Sequence, residues 1–249
     1  MTTHICNNCS NHFSEDYCNK CGQKEAHKIT MAHIGHEVLH SFTHADRGFL
    51  HLLLQLFIRP GVVAREYIVE GKRKRYFLPF QYILIIGTVA AFVAINSHYF
   101  ETALSVFNDA ESENKARLIH KTTLFVSKYY NFVILFQLPF FSLGTYIIFR
   151  KYHFNYAEHL TLQTFITAQT TIIVMIVMLT IFLTKSPGVS ALPIMSLFSF
   201  AFHIFANTQF FREQNFKGIL KALLSNILGI IFFAIFMLLI LFVFAFITK

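Results

Sequence analysis

The sequence predicts an all-α membrane protein in which about five transmembrane helices follow amphipathic helices and a small cysteine-knuckle module. Three observations predict it. Only 14% of the 249 residues are charged, against about 25% in soluble domains. Long apolar runs fill the chain from Phe80 onward, whereas the residues before Arg59 are more polar and rich in Cys and His. All four cysteines fall within the first 21 residues, so any thiol site precedes the lipid-embedded part. The expected organisation is a knuckle module over 1–28, amphipathic helices and a basic membrane junction over 29–79, and a helical transmembrane domain over 80–249.

Cys6, Cys9, Cys18 and Cys21 are spaced C-x2-C-x8-C-x2-C. Two such knuckles supply four thiolates, the donor set that closes a tetrahedron around structural Zn²⁺. Gly22 permits the turn after the last cysteine. A segment this short buries no apolar core, so the metal would provide its folding energy. A disulfide pair or a redox C-x-x-C is the alternative. His4 and His12 lie nearby in sequence, but four thiolates already complete the shell. The start, MTTHICNNCS, lacks the apolar core of a cleavable signal. Insertion is therefore expected from the first internal span, with reduced thiols on a cytosolic face.

At about 100° per residue, His33, His36, His40, His44 and His51 fall on one stripe, with Met31, Val38, Phe42, Phe49 and Leu53 opposite. That is the pattern of a helix lying on the membrane or the bundle with its histidines outward. The sharper reading makes His33, His36, His40 and His44 a second metal site or a pH-sensing ridge. His36-Glu37 followed by His40 also matches H-E-x-x-H, although a zinc protease needs a third ligand and a cleft beside that helix. The sequence holds no nucleophile elbow, Walker loop or dinucleotide fingerprint. The expectation is that the chain is not an enzyme.

Phe49 to Ile58 is apolar nearly all round, but ten residues cannot cross about 30 Å of hydrocarbon. Arg59-Pro60-Gly61 should stop this helix, and Val62 to Glu70 should form a second short one. Lys72, Arg73, Lys74 and Arg75 then stand just ahead of the first long apolar run, where cations meet anionic lipid headgroups. The stretch reads Leu56 or Phe57, Arg59, Pro60, Gly61, Tyr67, Ile68, Gly71, Lys72, Arg73, Arg75, Tyr76, Pro79 and Phe80 in the pattern L-x-R-P-G-x5-Y-I-x2-G-K-R-x-R-Y-x2-P-F. Together with the tetracysteine start, it resembles the bacterial membrane proteins grouped as domain-of-unknown-function family 3667. The resemblance implies a multi-pass membrane protein with a zinc-ribbon-like tetracysteine, and it implies no activity.

Five spans are expected, near Phe80–Ser97, Tyr130–Phe149, Leu160–Thr184, Val189–Phe211 and Ala222–Ile247. The polar stretch Glu101 to Lys128 is expected outside the membrane. Pro139 is a candidate kink, and Pro187 and Pro193 mark the turn into the fourth span. With the N-terminus inside, the inner face receives Arg59 through Arg75, Arg150, Lys151, Arg212, Lys217 and Lys221, in keeping with the positive-inside rule. No Asp, Glu, Lys or Arg lies in the interior of these spans, which argues against ion-coupled transport. The milder polar groups, above all Gln163, Thr167, His203 and Asn207, either hydrogen-bond between helices or line an intramembrane polar pocket.

The expected role is that of a docking, assembly or regulatory component of a bacterial inner membrane, N-terminus cytoplasmic, with structural Zn²⁺. Expected partners are anionic membrane lipids and an unidentified protein, with no nucleic acid; a homo-oligomer is compatible. The alternative is a channel, permease or lipid-handling subunit.

Overall fold

The chain folds as an all-α membrane protein with a small two-stranded knuckle at its N-terminus. The computed structural model describes residues 4–32, 34, 35, 48–97, 120, 121, 124, 126–184 and 191–247. β1 (His4–Ile5) pairs antiparallel with β2 (His12–Phe13), placing His4 opposite Phe13. Seven helices follow among the described residues: α1 (Phe49–Ile58), α2 (Pro60–Ile68), α3 (Pro79–Asn96), α4 (Tyr130–Ile148), α5 (Tyr156–Thr184), α6 (Ala191–Phe210) and α7 (Phe216–Ile247). Four of them, α3, α4, α5 and α7, are long and apolar enough to cross a membrane. α6, with 20 residues, occupies the position of the expected fourth span. Residues 185–190, Pro187 among them, lie outside the described residues, as does most of Glu101–Lys128.

The junction folds as the sequence leads one to expect, with one shift. α1 ends at Ile58, and α2 begins at Pro60 rather than at Val62. Proline has no N–H to lose at a first helical position and its φ already suits the helix, so the stop and the new start share one residue, Arg59. α1 turns Leu52 and Leu56 inward and leaves Leu50, Leu54 and Ile58 exposed. Tyr67 of α2 meets Phe165 of α5 edge-on at 5.4 Å, a ring pair that contributes about 0.5–1.5 kcal/mol beyond its burial.

α2 lies across α6 at Gly61. A Cβ there would stand 2.3 Å from the Ala206 carbonyl oxygen and 2.5 Å from the Phe210 nitrogen, so only glycine allows the two backbones to touch. The Gly61 N–H donates to Gln209 Oε1 at 3.1 Å, and Arg65 donates to the Phe210 carbonyl at 2.9 Å. α4 and α7 make the broadest helix contact, with Gly144 against Ser225 and Gly229 against Phe141. Small residues let helices in lipid gain dispersion contact where no hydrophobic effect drives them together.

One end of the bundle collects the turns. The Phe149 and Phe211 rings stack at 3.9 Å, joining the α4–α5 turn to the α6–α7 turn. Glu213 binds Lys151 and, at 2.9 Å, Lys221. Burial would raise the Glu213 carboxyl, but hydrogen bonds from Lys151, Tyr152 and Lys221 hold it down at about 2. The same end receives the knuckle module. The basic residues Arg59 to Arg75, Arg150, Lys151 and Arg212 lie at or next to these turns.

Candidate metal centre and its docking site

The two knuckles have the same backbone. The Cys6 carbonyl accepts the Ser10 N–H at 2.9 Å and the Cys18 carbonyl accepts the Gly22 N–H at 2.8 Å. The Cys6 and Cys18 N–H groups then donate to Asn11 and Gln23 carbonyls. In both knuckles the residue after the second cysteine is left-handed, with φ of 58° at Ser10 and 70° at Gly22. Glycine adopts this freely, whereas Ser10 does so at a cost of about 1–2 kcal/mol.

This geometry brings the four sulfurs within 4.8 Å of one another. Cys6 and Cys21 are 3.5 Å apart, Cys9 and Cys18 3.6 Å. Sulfurs placed about 2.3 Å from a central ion stand about 3.8 Å apart in a tetrahedron, so the cluster fits a metal ion. None of the four is in a disulfide. Asn11 Nδ2 lies 3.7 Å from Cys18 Sγ. Burial works against ionising the Cys18 thiol, yet the backbone N–H groups of Cys21 and Lys20 and the neighbouring thiols bring it down to about 6. His4 turns elsewhere, its Nδ1 lying 2.9 Å from Glu25 Oε1. Among the described residues, Cys6, Cys18 and Phe13 make the module's buried apolar cluster, a core so small that a metal, where bound, would supply much of the folding energy.

The module is held against the bundle at two places. Gln23, buried, spends its whole amide on the junction: Nε2 donates to the Gly71 carbonyl at 2.8 Å and Oε1 accepts the Lys74 N–H at 3.2 Å. Gly71 has φ of 67°, and a Cβ there would meet Ala26 and Asn7 at 2.7 Å. Further along, the Ile29 carbonyl accepts Asn155 Nδ2 at 2.9 Å, and Lys28 lies 3.8 Å from Glu158. Asn155 and Glu158 cap α5 reciprocally: the Glu158 N–H donates to Asn155 Oδ1 at 2.9 Å, and the Asn155 N–H to Glu158 Oε2 at 2.7 Å. This is a capping box, and it doubles as the seat for the module's tail. Ile29 and Ile34 enter the main apolar core.

Of the basic residues, Lys72 pairs with Glu70 at 2.8 Å and Arg73 donates to the His27 carbonyl. Arg75 lies 3.5 Å from Glu66. Lys74 and Arg75 are exposed. Glu66 is buried and binds the Tyr76 hydroxyl and, at 3.2 Å, Arg59. Burial raises its carboxyl, but the Tyr76 hydroxyl, Arg59, Arg75 and Lys72 outweigh that, and the group lies below its usual range. A depressed carboxyl stabilises the fold above its unfolded pKa, about 4.3, and loses that contribution as pH falls through the folded value. Glu66→Gln should therefore lower the melting temperature at pH 7, and the two melting curves should converge on acidification below pH of about 4. A constant gap from pH 7 to pH 3 would contradict this.

His33, His36, His40 and His44 lie outside the described residues, as does Glu37. His51, of the same stripe, stacks on Tyr76 at 5.9 Å. Met31, expected on the apolar face, is instead 52% exposed, and Ile34 is the buried residue.

Within the bundle, Gln163 Nε2 donates to Asn207 Oδ1 at 3.2 Å, and Asn207 Nδ2 donates to the His203 carbonyl at 2.8 Å. Thr167 Oγ1 and His203 Nδ1 are buried without a hydrogen-bond partner among the described residues. The threonines of α5 mostly return to their own helix, as Thr161 does to Ala157 and Thr171 to Thr167. Cross-helix bonds come from Gln163 and from Gln169, which accepts the Tyr82 hydroxyl at 2.9 Å, and also from His159, whose Nδ1 lies 3.1 Å from Thr145 Oγ1 of α4. His203, but not Gln163, Thr167 or Asn207, also borders a cavity of about 300 Å³ with Gln137, Thr171, Ser199 and Asn226.

Gln23 and Asn155 went unread in the sequence, whereas Asn226 stood among the mild polar groups of the spans. The Asn155-x-x-Glu158 spacing was a legible cap signal. Nothing local distinguishes Gln23. No curated protein and no solved structure matches the chain. Residues 46–91 match the family described as protein of unknown function (DUF3667), and over that segment, which holds the Arg59-to-Phe80 motif, the chain is similar to that family.

Proposed function

We propose that this chain is a multi-pass protein of a bacterial inner membrane whose cytosolic, zinc-bearing module forms a docking surface for a partner protein. The observation that carries this reading is the seating of Gln23 on Gly71 and Lys74. It makes the module a fixed feature of the membrane face rather than a domain on a loose tether. Zinc follows from four thiolates in a closed tetrahedral set, which serves structure rather than catalysis. A cytosolic N-terminus follows from the reducing environment that free thiols need and from the basic turns gathered at the module's end of the bundle. The exposed Lys74 and Arg75 suit anionic headgroups. No nucleic acid is required, a homo-oligomer is compatible with the lipid-facing helices, and the role is not enzymatic.

The test is capture from detergent extracts with the full chain and with Cys18→Ser/Cys21→Ser. A partner retained by the first and lost by the second supports docking through the module; identical sets overturn it. The second reading, a lipid-handling or permease subunit, rests on the cavity beside His203 and is tested by flux or lipid transfer in proteoliposomes.

A further inference from the structure

The cavity between α4, α5, α6 and α7 has a polar floor in the middle of an apolar bundle. Asn226 of α7 is 1% exposed and His203 of α6 is 9% exposed. Among the described residues, neither amide atom of Asn226 finds a hydrogen-bond partner, and neither do His203 Nδ1 and Ser199 Oγ. All three residues border the same space. Buried polar groups in proteins are paired as a rule, and in lipid no bulk water is at hand to serve them. Unpaired atoms from two different helices that meet in one hollow therefore point to an occupant.

The hollow narrows the chemistry of that occupant. Among the described residues, its lining contains no Asp, Glu, Lys or Arg, so a charged head would lie in the membrane without a counter-ion. The floor offers both donors and acceptors, since an amide supplies each and an imidazole nitrogen can be either. The walls are apolar at Val133, Ile134 and Val174, and the rim includes Ile230, which is 46% exposed on the bundle surface. At about 30 Å³ per water, the volume holds about ten waters or a head of comparable size. Phe141 lies 5.3 Å from the His203 ring and gives a flat group something to lie against.

We propose that this cavity binds the uncharged, hydroxyl- or carbonyl-bearing head of a membrane-dissolved amphiphile, with Asn226 and His203 as its hydrogen-bonding contacts. Isoprenoid quinones and diacylglycerols both carry such a head. The proposal deepens the lipid-handling reading in naming a ligand, but it requires no transport, so a negative flux assay leaves it standing.

The test uses the purified full chain in nanodiscs, with tritiated decyl-substituted benzoquinone and tritiated dioctanoylglycerol as probes. Saturable binding of at least one probe at about one per chain is expected, weakened tenfold or more by Asn226→Leu and by the smaller change His203→Gln. Ser199→Ala, a change too slight to threaten folding, should weaken it less. Binding of the quinone alone identifies a redox lipid, binding of the glyceride alone a glycerolipid, and binding of both the shared chemistry. If both probes merely partition, equally into the natural chain and the variants, the cavity holds water only and the proposal is wrong. Binding that saturates but ignores Asn226→Leu and His203→Gln alike places the site elsewhere and overturns it too.

Discussion

Stripping the metal with a chelator, or replacing Cys18 with Ser, is expected to unfold the knuckle module and release it from the bundle. Structural zinc contributes about 10–16 kcal/mol in zinc-finger peptides, and among the module's described residues no apolar core could replace such a contribution. Its buried apolar cluster is Phe13 with Cys6 and Cys18. Once the knuckles open, the backbone that presents Gln23 is no longer held. The pair of hydrogen bonds to Gly71 and Lys74 then goes. Limited proteolysis should show new cleavage within residues 4–28 while the segment 48–97 stays protected, and added zinc should reverse it in the chelated natural chain but not in Cys18→Ser. An unchanged digestion pattern after complete chelation would refute the metal's structural role. Gln23→Leu separates folding from docking. It should keep the metal, lose the seat at a cost of about 1–3 kcal/mol for the buried groups left unpaired, and give the same cleavage more weakly.

Gly61→Ala should be strongly destabilising. The added carbon would stand 2.3 Å from the Ala206 oxygen, 2.4 Å from Gln209 Cβ and 2.5 Å from the Phe210 nitrogen. These are mostly backbone atoms of α6, which cannot rotate aside, so α2 must lift away from the bundle. Lifting also stretches the Gly61–Gln209 and Arg65–Phe210 hydrogen bonds. Overpacking usually costs about 1–3 kcal/mol, and the combined loss here should reach about 3 kcal/mol or more. Thermal unfolding in detergent measures it. Gly87→Ala is the control: its Cβ would meet nothing nearer than 3.6 Å, and alanine favours a helix over glycine by about 1 kcal/mol. That variant should melt at or above the natural chain. Equal melting of the two variants would remove the close crossing from the account.

Much of this molecule was legible because its signals are local. The two C-x2-C pairs are each closed by their own backbone turns, so spacing alone gathered Cys6, Cys9, Cys18 and Cys21. α1 ended where Arg59-Pro60-Gly61 said it would, and α3, α4, α5 and α7 began within a few residues of their apolar runs. What stayed hidden depends on facing. The basic cluster read as a lipid anchor, yet Arg73 and the Lys74 backbone also hold the module. Gly61 read as a helix stop, yet it is a contact surface. The polar stripe of α5 read as one feature, but most of its threonines bond within their own helix and its glutamines across to neighbours.

By itself, then, the sequence determined the helical membrane class, the thiolate cluster and the break at the junction, because each follows from hydrophobicity, ligand spacing or proline geometry within a few residues. Tertiary structure alone decided that Gln23 seats the module, that the α5 cap carries its tail, and that Asn226 and His203 share one hollow. Those facts depend on which helix faces meet, and contacts between residues about 20 to 150 positions apart leave no periodic trace in any one segment.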